Sequence, residues 1–170
     1  DPIRAVRMRS ARTLAPLPEQ ALGPADAAAY AKAADEYIAS ERFSADRPEN
    51  RANLGGFFAE RGRHMEAEAQ FRSAIELDPL FVPAWVNFSD LMRLRQREPE
   101  AEALLREGLA KSPSDATLHH ALGLSLVRQG KRDEALRELK RATELAPDNS
   151  RFSYVYGVAR SEMQPGNAKP

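Results

Sequence analysis

The fold is decided by residues 116–149, which read ATLHHALGLSLVRQGKRDEALRELKRATELAPDN. Large and small apolar residues recur at helical spacing in this stretch, and Pro147 stands near its end. Pro79 and Pro113 precede Pro147 at successive intervals of 34 residues. The matching apolar and small positions are Leu54, Gly55, Phe58, Ala67, Phe71 and Ala74 before Pro79; Trp85, Phe88, Ser89, Met92, Ala101, Leu105 and Gly108 before Pro113; and Leu122, Gly123, Leu126, Ala135, Leu139 and Ala142 before Pro147. An internal repeat of this length is typical of stacked helical units.

Each repeat is predicted to be a pair of antiparallel helices. Small residues at fixed offsets let two helix axes approach to the short end of the roughly 8–10 Å range, and large residues fill the grooves between pairs. Each proline lacks a backbone N–H and therefore ends the second helix of its pair. Gly62 and Gly130 supply turns in two of the pairs, whereas the middle pair has Pro99 near the start of its second helix. The predicted first helices are 49–61, 83–95 and 117–129, and the predicted second helices are 65–77, 99–110 and 133–145.

The pattern resembles the tetratricopeptide repeat, a pair of antiparallel helices of 34 residues. The resemblance covers repeats 48–81, 82–115 and 116–149. Arg51 and His119 depart from it, because they occupy the offset at which Trp85 supplies the usual tryptophan. The resemblance implies an all-α fold, a right-handed α-solenoid of antiparallel helix hairpins whose concave face binds other proteins.

The segments on either side of the repeats are predicted to be helical caps. Residues 24–47 form an alanine-rich N-terminal capping helix near 27–43, and residues 150–170 form a C-terminal capping helix, near 151–163, and a tail. Residues 1–23 resemble one helix of a HEAT-like repeat followed by a linker, which we expect to be the remnant of a preceding helical domain, because one such helix cannot bury its own face. A HEAT-like end before these repeats is also similar to the C-terminal region of some bacterial multihaem cytochrome c proteins.

The composition argues against several classes of function. Basic and acidic residues are equal in number, 25 of each, so the chain has no strong field to attract nucleic acid. The chain has no cysteine, which excludes disulfides, thiolate zinc sites and covalently attached haem within it. No apolar run reaches the roughly 20 residues of a membrane-spanning helix. We therefore expect no cofactor, no nucleic-acid partner and no membrane partner.

The histidines and carboxylates do not form a catalytic or metal-binding constellation in the sequence. His64 lies in a predicted turn, and His119 and His120 are neighbours that point to different sides of one helix. Adjacent acidic residues such as Asp133 and Glu134 likewise diverge on a helix. These observations predict a protein that is not an enzyme. The chain opens on Asp1 as a piece of a longer protein would, which leaves the compartment open between cytoplasm and periplasm.

The resemblance also implies a partner-binding surface on the first helix of each hairpin. The candidate residues of this concave groove are Asn53, Glu60, Asn87, Asp90, Arg93, His120, Leu124, Arg128, Arg151 and Tyr154. Asn53 and Asn87 occupy the same offset one repeat apart, and an asparagine amide can both donate to and accept from a peptide backbone. Ala121 interrupts this ladder in the third repeat, so the alternative is that both asparagines are exposed helix residues without a ligand.

One specialised version of the groove is not expected. Family members that capture the C-terminal carboxylate of chaperones use lysine, asparagine and arginine side chains across three repeats. The corresponding residues here are Ala52, Gly56, Asn87, Thr117 and Ala121, of which only Asn87 agrees.

Three hypotheses about function remain. The first is a non-catalytic protein–protein interaction module that binds a partner peptide or helix in the concave groove with micromolar affinity. The second is a C-terminal docking or assembly domain of an exported multihaem cytochrome-type redox protein. The third is weak self-association through an uncapped apolar end.

Overall fold

The computed structural model describes residues 2–18 and 21–163, and these residues form helices and turns without a β-strand. The helices are α1 (Pro2–Leu14), α2 (Pro24–Phe43), α3 (Pro48–Glu60), α4 (His64–Leu77), α5 (Val82–Leu94), α6 (Glu98–Lys111), α7 (Ala116–Arg128), α8 (Arg132–Leu145) and α9 (Ser150–Met163). Helices α3 to α9 begin one residue before the predicted positions. The prediction of an all-α fold built from helix hairpins is confirmed.

The chain divides into two compact units, with the boundary in α5 between Asn87 and Phe88. In the first unit α1 packs on α2, α2 on α3, and α3 on α4. The ring of Tyr37 on α2 lies 4.9 Å from that of Phe57 on α3, between ring centroids. Gly55 on α3 faces Phe71 on α4 so closely that a Cβ atom at Gly55 would lie 2.6 Å from the Phe71 ring. The small and large residues of the repeat therefore meet as the sequence pattern predicts.

Helix α1 belongs to this first unit. We predicted it to be a remnant without stacking partners, but Ala11 and Ala15 are buried. Arg7 on α1 binds Glu36 on α2 through two hydrogen bonds of 2.9 Å each. Helix α1 therefore buries small residues against one neighbour, α2, whereas its origin as the remnant of a preceding domain stays a prediction.

In the second unit α6 packs on α7, α7 on α8, and α8 on α9. Gly123 on α7 faces Leu139 on α8, where a Cβ atom would lie 2.6 Å from Leu139 Cγ. Leu136 and Leu139 form a small apolar core with Ala159 of α9, and Val127, Val155 and Tyr156 pack against it. Asp115 caps α7 by accepting a 2.9 Å hydrogen bond from the backbone N–H of Leu118.

The turns inside the three hairpins share one backbone geometry. Gly62 and Gly130 have φ angles of 69° and 72°, as expected for glycine after a helix. Gln96 stands at the same offset in the middle hairpin and has a φ of 59°. The repeat therefore imposes a left-handed residue on this turn even where the sequence has no glycine.

Candidate functional site

The predicted binding residues of the first unit are partly engaged by the chain itself. Asn53 is exposed on α3, and its Nδ2 lies 3.4 Å from Glu41 Oε2 on α2. The same oxygen accepts a 2.9 Å hydrogen bond from Nδ2 of Asn50. Glu41 therefore orients the amide of Asn53, whose carbonyl oxygen is an acceptor for a peptide N–H.

Arg12 of α1 reaches the end of α3, where Glu60 lies. The sequence predicted Glu60 to be a residue of the concave groove. The guanidinium of Arg12 pairs with the Glu60 carboxylate. A Cβ atom on Gly56 would lie 3.8 Å from Nη2 of Arg12, so the same side chain also covers Gly56. The negative charge of Glu60 is thus compensated by Arg12. Among the candidates of the first unit, only Asn53 and Asn87 present exposed amides.

Asp90 and Arg93 of the second unit form a local pair on α5. Nε of Arg93 donates a 3.1 Å hydrogen bond to Oδ1 of Asp90, which lies three residues earlier on the helix. Asp90 is exposed and Arg93 is half-buried. An exposed pair of this kind contributes little to stability, about 0.3–0.5 kcal/mol, so a ligand can displace it at small cost.

His120 does not face a partner as predicted, because it is 6% exposed. Its ring stacks on Phe152 of α9 with centroids 4.4 Å apart, and neither ring nitrogen has a hydrogen-bond partner among the described residues. Burial, and then the positive charge of Arg151, lower the pKa of His120 below its ordinary value. The sequence misplaced His120 because the offset alone does not reveal that Phe152 covers it. His120 therefore fastens α9 against α7 as a neutral ring.

The remaining four candidates are Leu124 and Arg128 on α7 and Arg151 and Tyr154 on α9, and we call this set the α7–α9 wall. Leu124 and Arg128 are four residues apart on α7, and Arg151 and Tyr154 are three apart on α9, so each pair shares one helix face. Tyr154 is 73% exposed and Leu124 is half-buried. Arg128 and Arg151 are both exposed, and Nε of Arg128 donates a 2.8 Å hydrogen bond to Glu98. The four side chains of this set are therefore an aromatic ring, an aliphatic group and two guanidinium groups.

The sequence analysis did not single out Glu102, a carboxylate that is only 8% exposed on α6. It accepts hydrogen bonds from Arg106 at 2.8 Å, Gln129 at 2.7 Å and Lys131 at 2.6 Å. Burial raises the pKa of Glu102, but the hydrogen bonds from Lys131, Arg106 and Gln129 outweigh it and hold the pKa at about 2. Only the spacing of Glu102 and Arg106 on one helix was visible in the sequence. The cluster joins α6 to the α7–α8 turn, which is a structural role.

Two general features of the described residues bear on function. No group of three or more histidine, aspartate or glutamate residues there is arranged to hold a metal ion. None of the helices in residues 2–18 and 21–163 is long and apolar enough to cross a membrane.

Several solved structures resemble this chain. The thermophilic TPR protein TTC0263 of Thermus thermophilus matches with a TM-score of 0.63 and 19% identity, over 73% of this chain and 71% of that one. The first TPR of Spaghetti (RPAP3), solved with the HSP90 peptide SRMEEVD, matches with a TM-score of 0.59 and 17% identity, over 69% of this chain and 93% of that one. MamA of Desulfovibrio magneticus RS-1 matches with a TM-score of 0.56 and 19% identity, over 92% of this chain and 85% of that one. These likenesses show the fold.

Sequence comparison identifies the family. No curated protein matches the chain. The family model described as tetratricopeptide repeat matches residues 58–116 and 120–160, which is more than half of the chain. These matches lie within the hairpins α3–α4, α5–α6 and α7–α8 and continue into α9. The chain therefore belongs to the tetratricopeptide-repeat family.

Proposed function

We propose that this chain is a non-catalytic protein-interaction module whose α7–α9 wall binds an extended acidic peptide. The observation that carries the proposal is Tyr154, a large aromatic side chain that is 73% exposed beside the exposed Arg151. A tyrosine exposed to this degree leaves apolar area in water, and aromatic and arginine side chains are enriched where proteins bind each other.

The helix that carries Tyr154 is packed against α7, which favours a preformed binding surface. Phe152 lies two residues earlier and stacks on the buried His120, so α9 is fastened to α7 at this point. A preorganised surface loses less conformational entropy when a ligand binds.

The charges of the wall select for acidic ligands. Arg128 and Arg151 are exposed guanidinium groups, and a guanidinium can bind a carboxylate through two parallel hydrogen bonds. Glu98 binds one edge of Arg128 and orients it. Leu124 lies one turn from Arg128 and offers a small apolar contact for a peptide side chain. Because these contacts are few and exposed, we expect affinity in the micromolar range, about −8 kcal/mol.

Asn53 and Asn87 offer a separate contact for an extended peptide within the first unit. Both amides are exposed, and each can bind one peptide group of an extended chain irrespective of its side chains. Asn53 is oriented by Glu41, whereas Asn87 lies near the unit's end on α5.

The Spaghetti structure was solved with a peptide that has three acidic residues in its sequence SRMEEVD. An acidic ligand suits the guanidinium groups of the α7–α9 wall, but the residues that would clamp a terminal carboxylate are absent. Ala52, Gly56, Thr117 and Ala121 occupy four of those five positions. We therefore expect an amidated SRMEEVD peptide to bind this chain as well as the free acid does.

The experiment is a selection from a random peptide library against the purified 170-residue chain, followed by titration of the selected peptides. We expect the selected sequences to be enriched in Asp and Glu. Tyr154→Ala, and Arg128→Ala combined with Arg151→Ala, should each weaken binding at least tenfold. The matched control is Arg141→Ala, which removes a half-exposed arginine from α8. Selected peptides without acidic enrichment, or bound equally by all variants, would contradict the proposal.

A further inference from the structure

Gly157 on α9 lacks the neighbour that its counterparts have. Gly55 and Gly123 stand 102 and 34 residues before it, at the same offset of the repeat. At both positions a Cβ atom would lie 2.6 Å from a large side chain of the following helix, Phe71 or Leu139. No described atom lies within 4 Å of the corresponding point at Gly157. A glycine inside a helix lowers helix stability relative to alanine, and within the described chain nothing at Gly157 offsets this loss.

A cavity of about 320 Å³ opens between α8 and α9 on the side of Tyr156, the residue that precedes Gly157. We call it the α8–α9 groove, and its lining residues are Asp133, Leu136, Arg137, Lys140, Tyr156 and Arg160. Three of these side chains are cationic and one is anionic. Arg137 and Arg160 form no ion pair with any described residue, and Nζ of Lys140 lies 3.4 Å from Glu144 in an exposed pair. The groove is therefore apolar at its floor and basic at its rim.

The chain's own second helices indicate what such a groove accepts. Each of them carries a glutamate followed by alanine, then a large apolar residue and a small residue at fixed offsets. These sets are Glu66, Ala67, Phe71 and Ala74 on α4; Glu100, Ala101, Leu105 and Gly108 on α6; and Glu134, Ala135, Leu139 and Ala142 on α8.

On α8 the glutamate of this set has a partner on the preceding second helix. Nη2 of Arg106 on α6 donates a 2.6 Å hydrogen bond to Glu134 of α8. Lys140 stands 34 residues after Arg106 and lines the α8–α9 groove. A helix lying in the groove in the register of α8 would therefore bring its glutamate to Lys140 and its large residue to Gly157.

The sequence that follows α9 does not carry this set. Gln164 to Pro170 reads QPGNAKP, which has two prolines and no glutamate. This segment differs in chemistry from α4, α6 and α8.

We propose that the α8–α9 groove binds an amphipathic helix of another protein, with a Glu-Ala pair near its start and a large apolar residue four positions after the alanine. The large side chain fills the space over Gly157, and the glutamate binds Lys140. The basic rim of Arg137, Lys140 and Arg160 selects a helix of net negative charge. This surface shares no residue with the α7–α9 wall, so each can fail independently of the other.

The probe is a labelled, end-capped peptide of residues 62–79, which contains the α4 sequence with two basic and four acidic residues. Binding to the intact chain is measured by fluorescence anisotropy. We expect saturable binding by the wild type and at least tenfold weaker binding by Gly157→Ala, because the new Cβ atom occupies the space for Phe71. A peptide with Phe71→Ala should bind at least tenfold more weakly. Lys140→Gln should weaken binding about twofold to fivefold, as expected for an exposed ion pair.

Gly56→Ala is the matched control, since a Cβ atom there makes only an ordinary contact of 3.8 Å with Arg12. It should bind the peptide as the wild type does. Absence of binding to the wild type, or equal binding by Gly157→Ala, would overturn the proposal. Concentration-dependent sedimentation that Gly157→Ala abolishes would also overturn it, because a second copy of the chain would then occupy the groove.

Discussion

Alanine at Gly123 and alanine at Gly157 are expected to change stability in opposite directions. A Cβ atom on Gly123 would lie 2.6 Å from Leu139 Cγ and 3.2 Å from the Leu139 backbone nitrogen, so α8 itself must shift. Overpacking lowers stability by about 1–3 kcal/mol, and the shift of backbone places this site in the upper half of that range. The gain in helix propensity is about 1 kcal/mol, which leaves a net loss of about 1–2 kcal/mol for Gly123→Ala. At Gly157 only the gain in helix propensity applies, so Gly157→Ala should raise the free energy of unfolding by up to about 1 kcal/mol.

The assay is urea unfolding followed by circular dichroism, with amide hydrogen exchange of α7, α8 and α9 as the local measurement. For a chain of this size each kcal/mol corresponds to about 2–4 °C in Tm. Leu139→Ala supplies the internal control, because it removes Cγ and Cδ2, the two atoms nearest the new Cβ atom, and leaves only the backbone nitrogen. In that background Gly123→Ala should cost much less than in the wild type. Equal effects of alanine at Gly123 and Gly157, or no coupling between Gly123 and Leu139, would refute the packing argument.

Four further predictions concern single features of the chain. The Glu102 pKa of about 2 lies below its ordinary 4.5, so the ionised carboxylate stabilises the fold fully above pH 5 and this stabilisation is lost as the pH falls towards 2. Over that range the free energy of unfolding of the wild type should fall by up to about 3 kcal/mol more than that of Glu102→Gln. The same pH dependence in both proteins would contradict this. The lowered pKa of His120 favours its neutral form, so the protection factors of the α9 amides, which correct for the intrinsic pH dependence of exchange, should fall as the pH falls below 6.5, and His120→Phe should remove that loss. Gln96→Gly should raise the free energy of unfolding by about 1 kcal/mol, since glycine adopts a φ of 59° without strain, and an unchanged urea midpoint would count against it. Asn53→Ala with Asn87→Ala should leave circular dichroism and Tm unchanged and weaken at least tenfold those library-selected peptides that still bind Tyr154→Ala; retained binding of these peptides would contradict a role for the two amides.

The helix hairpins could be predicted because one physical cause repeats at a fixed interval. Pro79, Pro113 and Pro147 end helices for local reasons, and the close contact of Gly123 with Leu139 needs only two offsets within one repeat. Such local and periodic constraints can be recognised from the sequence alone. The turn at Gln96 could not be predicted from the residue type, because its left-handed backbone follows from its position in the repeat.

The candidate site was less predictable, because offsets specify a helix face but not what covers it. Arg12 neutralises Glu60 from a helix 48 residues earlier, which no periodicity within the repeats reveals. His120 shares the face of Leu124, yet Phe152 covers it. Exposure of a residue on a repeat helix depends on neighbours outside its own repeat, and these must be seen in three dimensions.

The most direct test of the proposed function is a nuclear magnetic resonance titration of the ¹⁵N-labelled chain with a library-selected acidic peptide. The account predicts that the largest amide shifts fall at Leu124, Arg128, Arg151 and Tyr154, and that Tyr154→Ala raises at least tenfold the peptide concentration that gives half of these shifts. Shifts confined to α4 and α6, with α7 and α9 unchanged, would contradict it.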